Sequence, residues 1–116
     1  MNREDVRRAF VKLTEKGDIT DIQRWVGQRI TYHNTAMRSR ANGRKDVLAV
    51  LERLKDSQAT EVRVRDMSRT QRNQHHDTDT GFVVEISTKD KQATIILDLR
   101  FSTGDKLFAI LALTRM

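Results

Sequence analysis

Apolar positions recur first at helical spacing and later at spacing two, so the chain divides into a helical front and a strand-rich back. Val6, Phe10 and Leu13 are separated by Arg, Lys and Glu. Asn2 stands ready to cap this helix, with Asp5 three residues on and Gly17 to end it. Ile19-Thr20 followed by Gln23 reads as a staple and capping box for a short second helix, whose apolar face is Ile22, Trp25 and Val26. Arg29 to His33 reads as a short strand and Asn34 to Asn42 as a loop. Gly43 then leads into a third helix with the stripe Val47, Leu48, Val50, Leu51, Leu54.

After Ser57 the period becomes two. Glu61, Arg63 and Arg65 alternate with Val62 and Val64, and strand character returns over Phe82–Ser87, Ala93–Phe101 and Leu107–Thr114. Turns are expected at Lys89-Asp90-Lys91 and around Gly104, and the polar stretch Gln71 to Thr80 reads as either a long hairpin loop or two strand ends protruding into solvent. The pattern predicts one α+β domain over residues 1–116, with three N-terminal helices packed on a curved antiparallel sheet. In the last strand Leu107, Ala109, Leu111 and Leu113 alternate with Phe108, Ile110 and Ala112, so both faces are apolar. An antiparallel sheet normally keeps one face wet. The second face is therefore expected to be wrapped by sheet curvature or covered by another subunit, which makes Phe108, Ile110, Leu111 and Leu113 interface candidates for a homodimer or heterodimer.

Composition narrows the chemistry. The 116 residues contain no Cys, which rules out disulfides and zinc thiolates. The stretch MNREDVRRAF is charged from its third residue and lacks an apolar core, which reads against a secretory signal and for an intracellular protein. The apolar stretch Leu107–Leu113 is far short of the ~20 residues of a membrane helix. Net charge is +6, and Arg outnumbers Lys. Arg38, Arg40, Arg44 and Lys45 form one basic group and Arg63, Arg65, Arg69 and Arg72 another. They suit an acidic protein partner or, less favoured, a nucleic acid, since the second group has no aromatic residue on which bases could stack.

No catalytic, metal or cofactor motif stands out. In His75-His76-Asp77 neighbouring side chains of an extended chain point apart and no further ligand follows at a usual spacing, so the segment reads as a solvated loop. Asp98 and Arg100 share a strand face with Ile96. They are either a surface pair or, on a concave dry face, a recognition pair.

The set formed by Trp25 in the second helix, Tyr32-His33-Asn34 at the first strand, Gly43-Arg44 opening the third helix and the strand pattern from Val62 to Met116 resembles the nuclear transport factor 2-like superfamily. This is the cone-shaped fold shared with ketosteroid isomerase, limonene epoxide hydrolase and polyketide-cyclase-like proteins. The resemblance implies a cone pocket, for which Trp25, Tyr32, Asn34, Glu85, Asp98 and Arg100 are the lining candidates. Epoxide-hydrolase-like members hold a water with a Tyr-X-Asn segment, which Tyr32 and Asn34 match. They also use an Arg-X-Asp pair on a middle strand and a late Asp; here that strand reads Phe82-Val83-Val84-Glu85, and Leu107 to Met116 carries no acid. Isomerase-like members need a carboxylate base and an oxyanion donor, for which Asp98 or Glu85 and Tyr32 are the available residues. The scaffold hosts enzymes, adaptors and dimerisation modules alike. The reading is thus a non-enzymatic dimerising interaction domain, with a small-molecule binder or isomerase- or hydrolase-type enzyme as the alternative.

Overall fold

The computed structural model describes residues 1–67, 80–89, 93–102 and 104–115. Helix α1 (Arg3–Lys16) begins on a reciprocal cap: Asn2 Oδ1 accepts from the Asp5 amide at 2.9 Å, and Asp5 Oδ2 accepts from the Asn2 amide at 3.2 Å. It ends at Gly17, whose φ of 69° turns the chain so that its N–H reaches the Leu13 carbonyl. Val6, Ala9, Phe10 and Leu13 are its buried face.

Helix α2 (Thr20–Trp25) is barely one and a half turns long. The expected Thr20 capping box does not form. Asp18 Oδ1 instead accepts from the Thr20 amide at 3.0 Å, so the preceding carboxylate takes that first N–H. Val26 starts strand β1 (Val26–Asn34) rather than ending the helix. A hairpin leads to β2 (Ser39–Asn42), inside the segment the sequence reads as loop. Helix α3 (Arg44–Glu52) then runs into a 3-10 turn, Arg53–Asp56. Two helices of substance, α1 and α3, thus replace the three expected at the N-terminus, and α3 comes only after the first hairpin.

Strands β3 (Ala59–Asp66), β4 (Thr80–Thr88), β5 (Thr94–Ser102) and β6 (Lys106–Arg115) follow as an antiparallel meander. The six strands lie in the order β2-β1-β6-β5-β4-β3. The sheet is mixed, not antiparallel, because β1 and β6 pair in parallel. That pairing joins segments distant in sequence and leaves no local pattern.

One face of the sheet carries Ile30, Tyr32 and Asn34 of β1, Ile110 and Ala112 of β6, Leu97, Leu99 and Phe101 of β5, and Phe82, Val84 and Ile86 of β4. All are buried with Phe10, Leu13, Val47 and Leu51 of the helices. Phe101 organises one end, meeting Trp25 and Phe82 edge-to-face with centroids 5.8 and 5.9 Å apart.

Strand β6 departs from simple alternation. Ala109 faces Arg100, but Leu107 faces Phe101, so Phe108 is an extra bulge residue. The bulge reverses the parity. Leu107 turns into the core with Ile110, while Ala109, Leu111 and Leu113 point the other way. The grouping of Leu107 with Leu111 fails for this reason.

Candidate functional site

The sequence candidates separate onto opposite faces of the sheet. Tyr32 and Asn34 alternate with His33, and both are buried on the helix-covered face. Asn34 is the one buried polar residue among those described. Its Oδ1 accepts from the Met37 amide at 3.2 Å, so it closes the β1–β2 turn. In that turn Arg38 takes a left-handed φ of 51°. The Tyr-X-Asn segment is thereby tied into a hairpin.

Glu85, Asp98 and Arg100 lie on the outer face, away from the helices. The register shows this directly: Val83 pairs with Asp98, and Asp98 with Leu111, while their sequence neighbours Val84, Leu97 and Ala112 fill the core. Glu85 anchors an ion-pair cluster, with Oε2 3.4 Å from Arg63 Nη2 and Oε1 3.7 Å from Arg65 Nε. These residues line an open groove of about 530 Å³ beside β3, together with Arg7, Glu61 and Val83. Partial burial pushes the Asp98 carboxyl above the usual aspartate range, against the opposing pull of Arg100 and Arg65. Trp25 sits elsewhere, in a groove of about 360 Å³ with Arg8, Lys12, Asp21 and Arg24. The six lining candidates therefore occupy three separate places.

Of the interface candidates, Leu111 and Leu113 remain 45% and 41% exposed in the middle of the outer face. Ile110 is in the core and Phe108 is half-buried at the bulge, so neither joins them there. Ala109 and Ile96 extend the apolar centre, since Ala109 lies two residues from Leu111 along β6 and Ile96 pairs with Leu113. The periodicity also left His33 unnoticed. It pairs with Leu111 on one side and with the exposed Arg40 on the other, which only the parallel register reveals.

Arg44 leaves the basic group: its Nη1 donates to the Gln23 and Val26 carbonyls at 2.7 and 2.8 Å, pinning the end of α2. Arg38 and Arg40 are exposed on the hairpin, and Arg63 and Arg65 are exposed within the Glu85 cluster. Arg69, Arg72 and His75-His76-Asp77 lie outside the described residues. Among the described residues no group of three or more His, Asp or Glu is placed to hold a metal, and no helix is long and apolar enough to cross a membrane.

No protein-family model matches the chain, and no curated protein matches it. Solved structures do. A steroid delta-isomerase from Pseudomonas aeruginosa superposes with TM-score 0.67 at 10% identity, covering 97% of this chain and 78% of that one. An NTF-2 like protein from Burkholderia xenovorans gives 0.65 at 14% identity, with 97% and 81% coverage. A bacterial protein with a cystatin-like fold from Silicibacter pomeroyi gives 0.63 at 16%, with 97% and 77% coverage. Identities this low speak to architecture alone. Two main helices over one face of a six-stranded mixed sheet give this chain the cone-shaped α+β fold of the nuclear transport factor 2-like superfamily.

Proposed function

We propose that this protein is a non-catalytic association domain that pairs with a second copy of itself through the outer face of its sheet. One observation carries the reading: Leu111 and Leu113 stand side by side, each more than 40% exposed, at the centre of a face that the protein's own helices leave uncovered. An apolar patch rimmed by charged residues marks an interaction surface. Here Arg63, Arg65, Glu85, Asp98 and Arg40 supply the rim. The hairpin arginines Arg38 and Arg40 are then available at the margin for an acidic protein partner, ahead of a nucleic acid.

The test is the solution mass by light scattering over a dilution series. The expected result is twice the 13.5 kDa chain mass at high concentration, falling towards one chain on dilution. A single-chain mass at every concentration up to the millimolar range refutes the proposal.

A second reading has the fold's likeness to a steroid delta-isomerase in its favour. In it the helix-covered face would take a small apolar molecule beside Tyr32. Against it, that face is packed with Phe10, Leu99, Ile110 and their neighbours, and the carboxylates Glu85 and Asp98 lie on the far side of the sheet. Saturable quenching of Trp25 fluorescence by a steroid would revive it.

A further inference from the structure

We infer that the two copies meet about a two-fold axis running along β6, which brings His33 of each chain over Asp98 of the other. The inference rests on the association reading above and specifies its geometry. One row of side chains crosses the outer face at the level of Leu111: Arg40, His33, Leu111, Asp98, Val83 and Arg65, on β2, β1, β6, β5, β4 and β3 in turn. His33 is one strand to one side of Leu111 and Asp98 one strand to the other, each about 4.8 Å away.

Two simple face-to-face arrangements are open to a two-fold pair centred on Leu111. An axis along the row, across the strands, sets Asp98 on the second copy's Asp98 and His33 on its His33. It would bring two half-buried carboxylates together as water leaves, an arrangement that costs several kcal/mol unless one is neutralised. An axis along β6 reverses the row instead. Leu111 then meets Leu111, and each Asp98 meets the basic end of the other chain, His33 with Arg40 behind it. A small tilt of that axis also yields the ~30° crossing of aligned sheets.

The arrangement answers a need visible in the single chain. Asp98 is already part-buried, and among the described residues Arg100 and Arg65 are the charges that favour its ionised form. A partner sheet would remove more of its water, and buried carboxylates require donors. His33 supplies one in either charge state, since a neutral imidazole still carries one N–H. The surface is thus self-complementary along one axis only, as an isologous interface must be.

The test is a double-mutant cycle on the dimer dissociation constant, using His33→Glu, Asp98→Asn and their combination, with far-UV circular dichroism checking that each variant is folded. His33→Glu in the native background sets Glu against Asp98 at two symmetric places, and Kd should rise ~10-fold or more. In the Asp98→Asn background the same change should raise Kd by no more than ~3-fold, because the opposing charge is gone. His33→Arg provides a gain-of-binding arm: it sets a permanent guanidinium charge opposite Asp98 and should lower Kd. Equal effects of His33→Glu in both backgrounds overturn the β6 axis, yet leave the association reading standing if Leu111→Lys abolishes the dimer. A wild type that is monomeric throughout overturns both.

Discussion

Replacing Leu111 by Lys should convert the proposed dimer into a folded monomer, and the two halves of that statement have separate physical grounds. Burying a Leu side chain completely contributes ~1.5–3 kcal/mol. Leu111 retains 45% of its exposure and Leu113 41%. Covering what remains is therefore worth about 0.7–1.4 and 0.6–1.2 kcal/mol per copy, or roughly 3–5 kcal/mol over four side chains in the pair. Lys at position 111 forfeits the Leu111 share and brings two ammonium groups to the axis, each with a desolvation cost of a few kcal/mol. The combined loss exceeds ~4 kcal/mol, a rise in Kd of about 10³-fold. Within one chain the change is mild, because position 111 already meets water and its strand neighbour is the carboxylate Asp98. The assays are light scattering for mass and thermal melting for the fold. The expected result is a 13.5 kDa particle at every concentration, with a melting temperature within ~5 °C of dissociated wild type. A variant that stays dimeric refutes the placement of the interface; one that unfolds refutes the claim that this face is dispensable to the monomer.

Three further outcomes follow from the packing. Gly81→Ala places a Cβ 2.6 Å from Met67 Sδ and 2.9 Å from Met67 Cβ, so it should cost ~1–3 kcal/mol in urea denaturation, with Met67→Ala relieving part of the loss when combined. Asn34→Ala removes the acceptor for the Met37 amide and should cost ~1–2 kcal/mol of stability, whereas a water-holding catalytic Asn could be changed with little effect on melting. Asp98 has its folded-state pKa raised by burial, so its contribution to stability is fully present below the unfolded value near 3.8 and is lost as pH rises through the raised value. Asp98→Asn should accordingly raise the melting temperature of dilute, dissociated protein at pH 7 and leave it unchanged at pH 3; a decrease at pH 7 would mean that pairing with Arg100 and Arg65 outweighs desolvation.

The features legible along the chain are local ones. Asn2, Asp5 and Gly17 define both ends of α1, because caps act over three or four residues. Alternation located β3 to β6 to within a few residues, because a half-buried strand imposes period two. Local signals also misled where two residues competed for one backbone group, as when Asp18 rather than Thr20 received the first turn of α2. The resemblance carried by Trp25, Tyr32-His33-Asn34 and Gly43-Arg44 pointed to the right architecture, but not to the places its residues would occupy. Asn34 looked like a ligand for water and became a turn acceptor; Arg44 looked like surface charge and became a clamp on two carbonyls. The parallel pairing of β1 with β6, the bulge at Phe108 that turned Leu107 inward, and hence which leucines face water, emerge only in the folded chain. Periodicity records that a strand has two faces, whereas the helices and the distant strand that bury one of them are chosen by the folded chain as a whole.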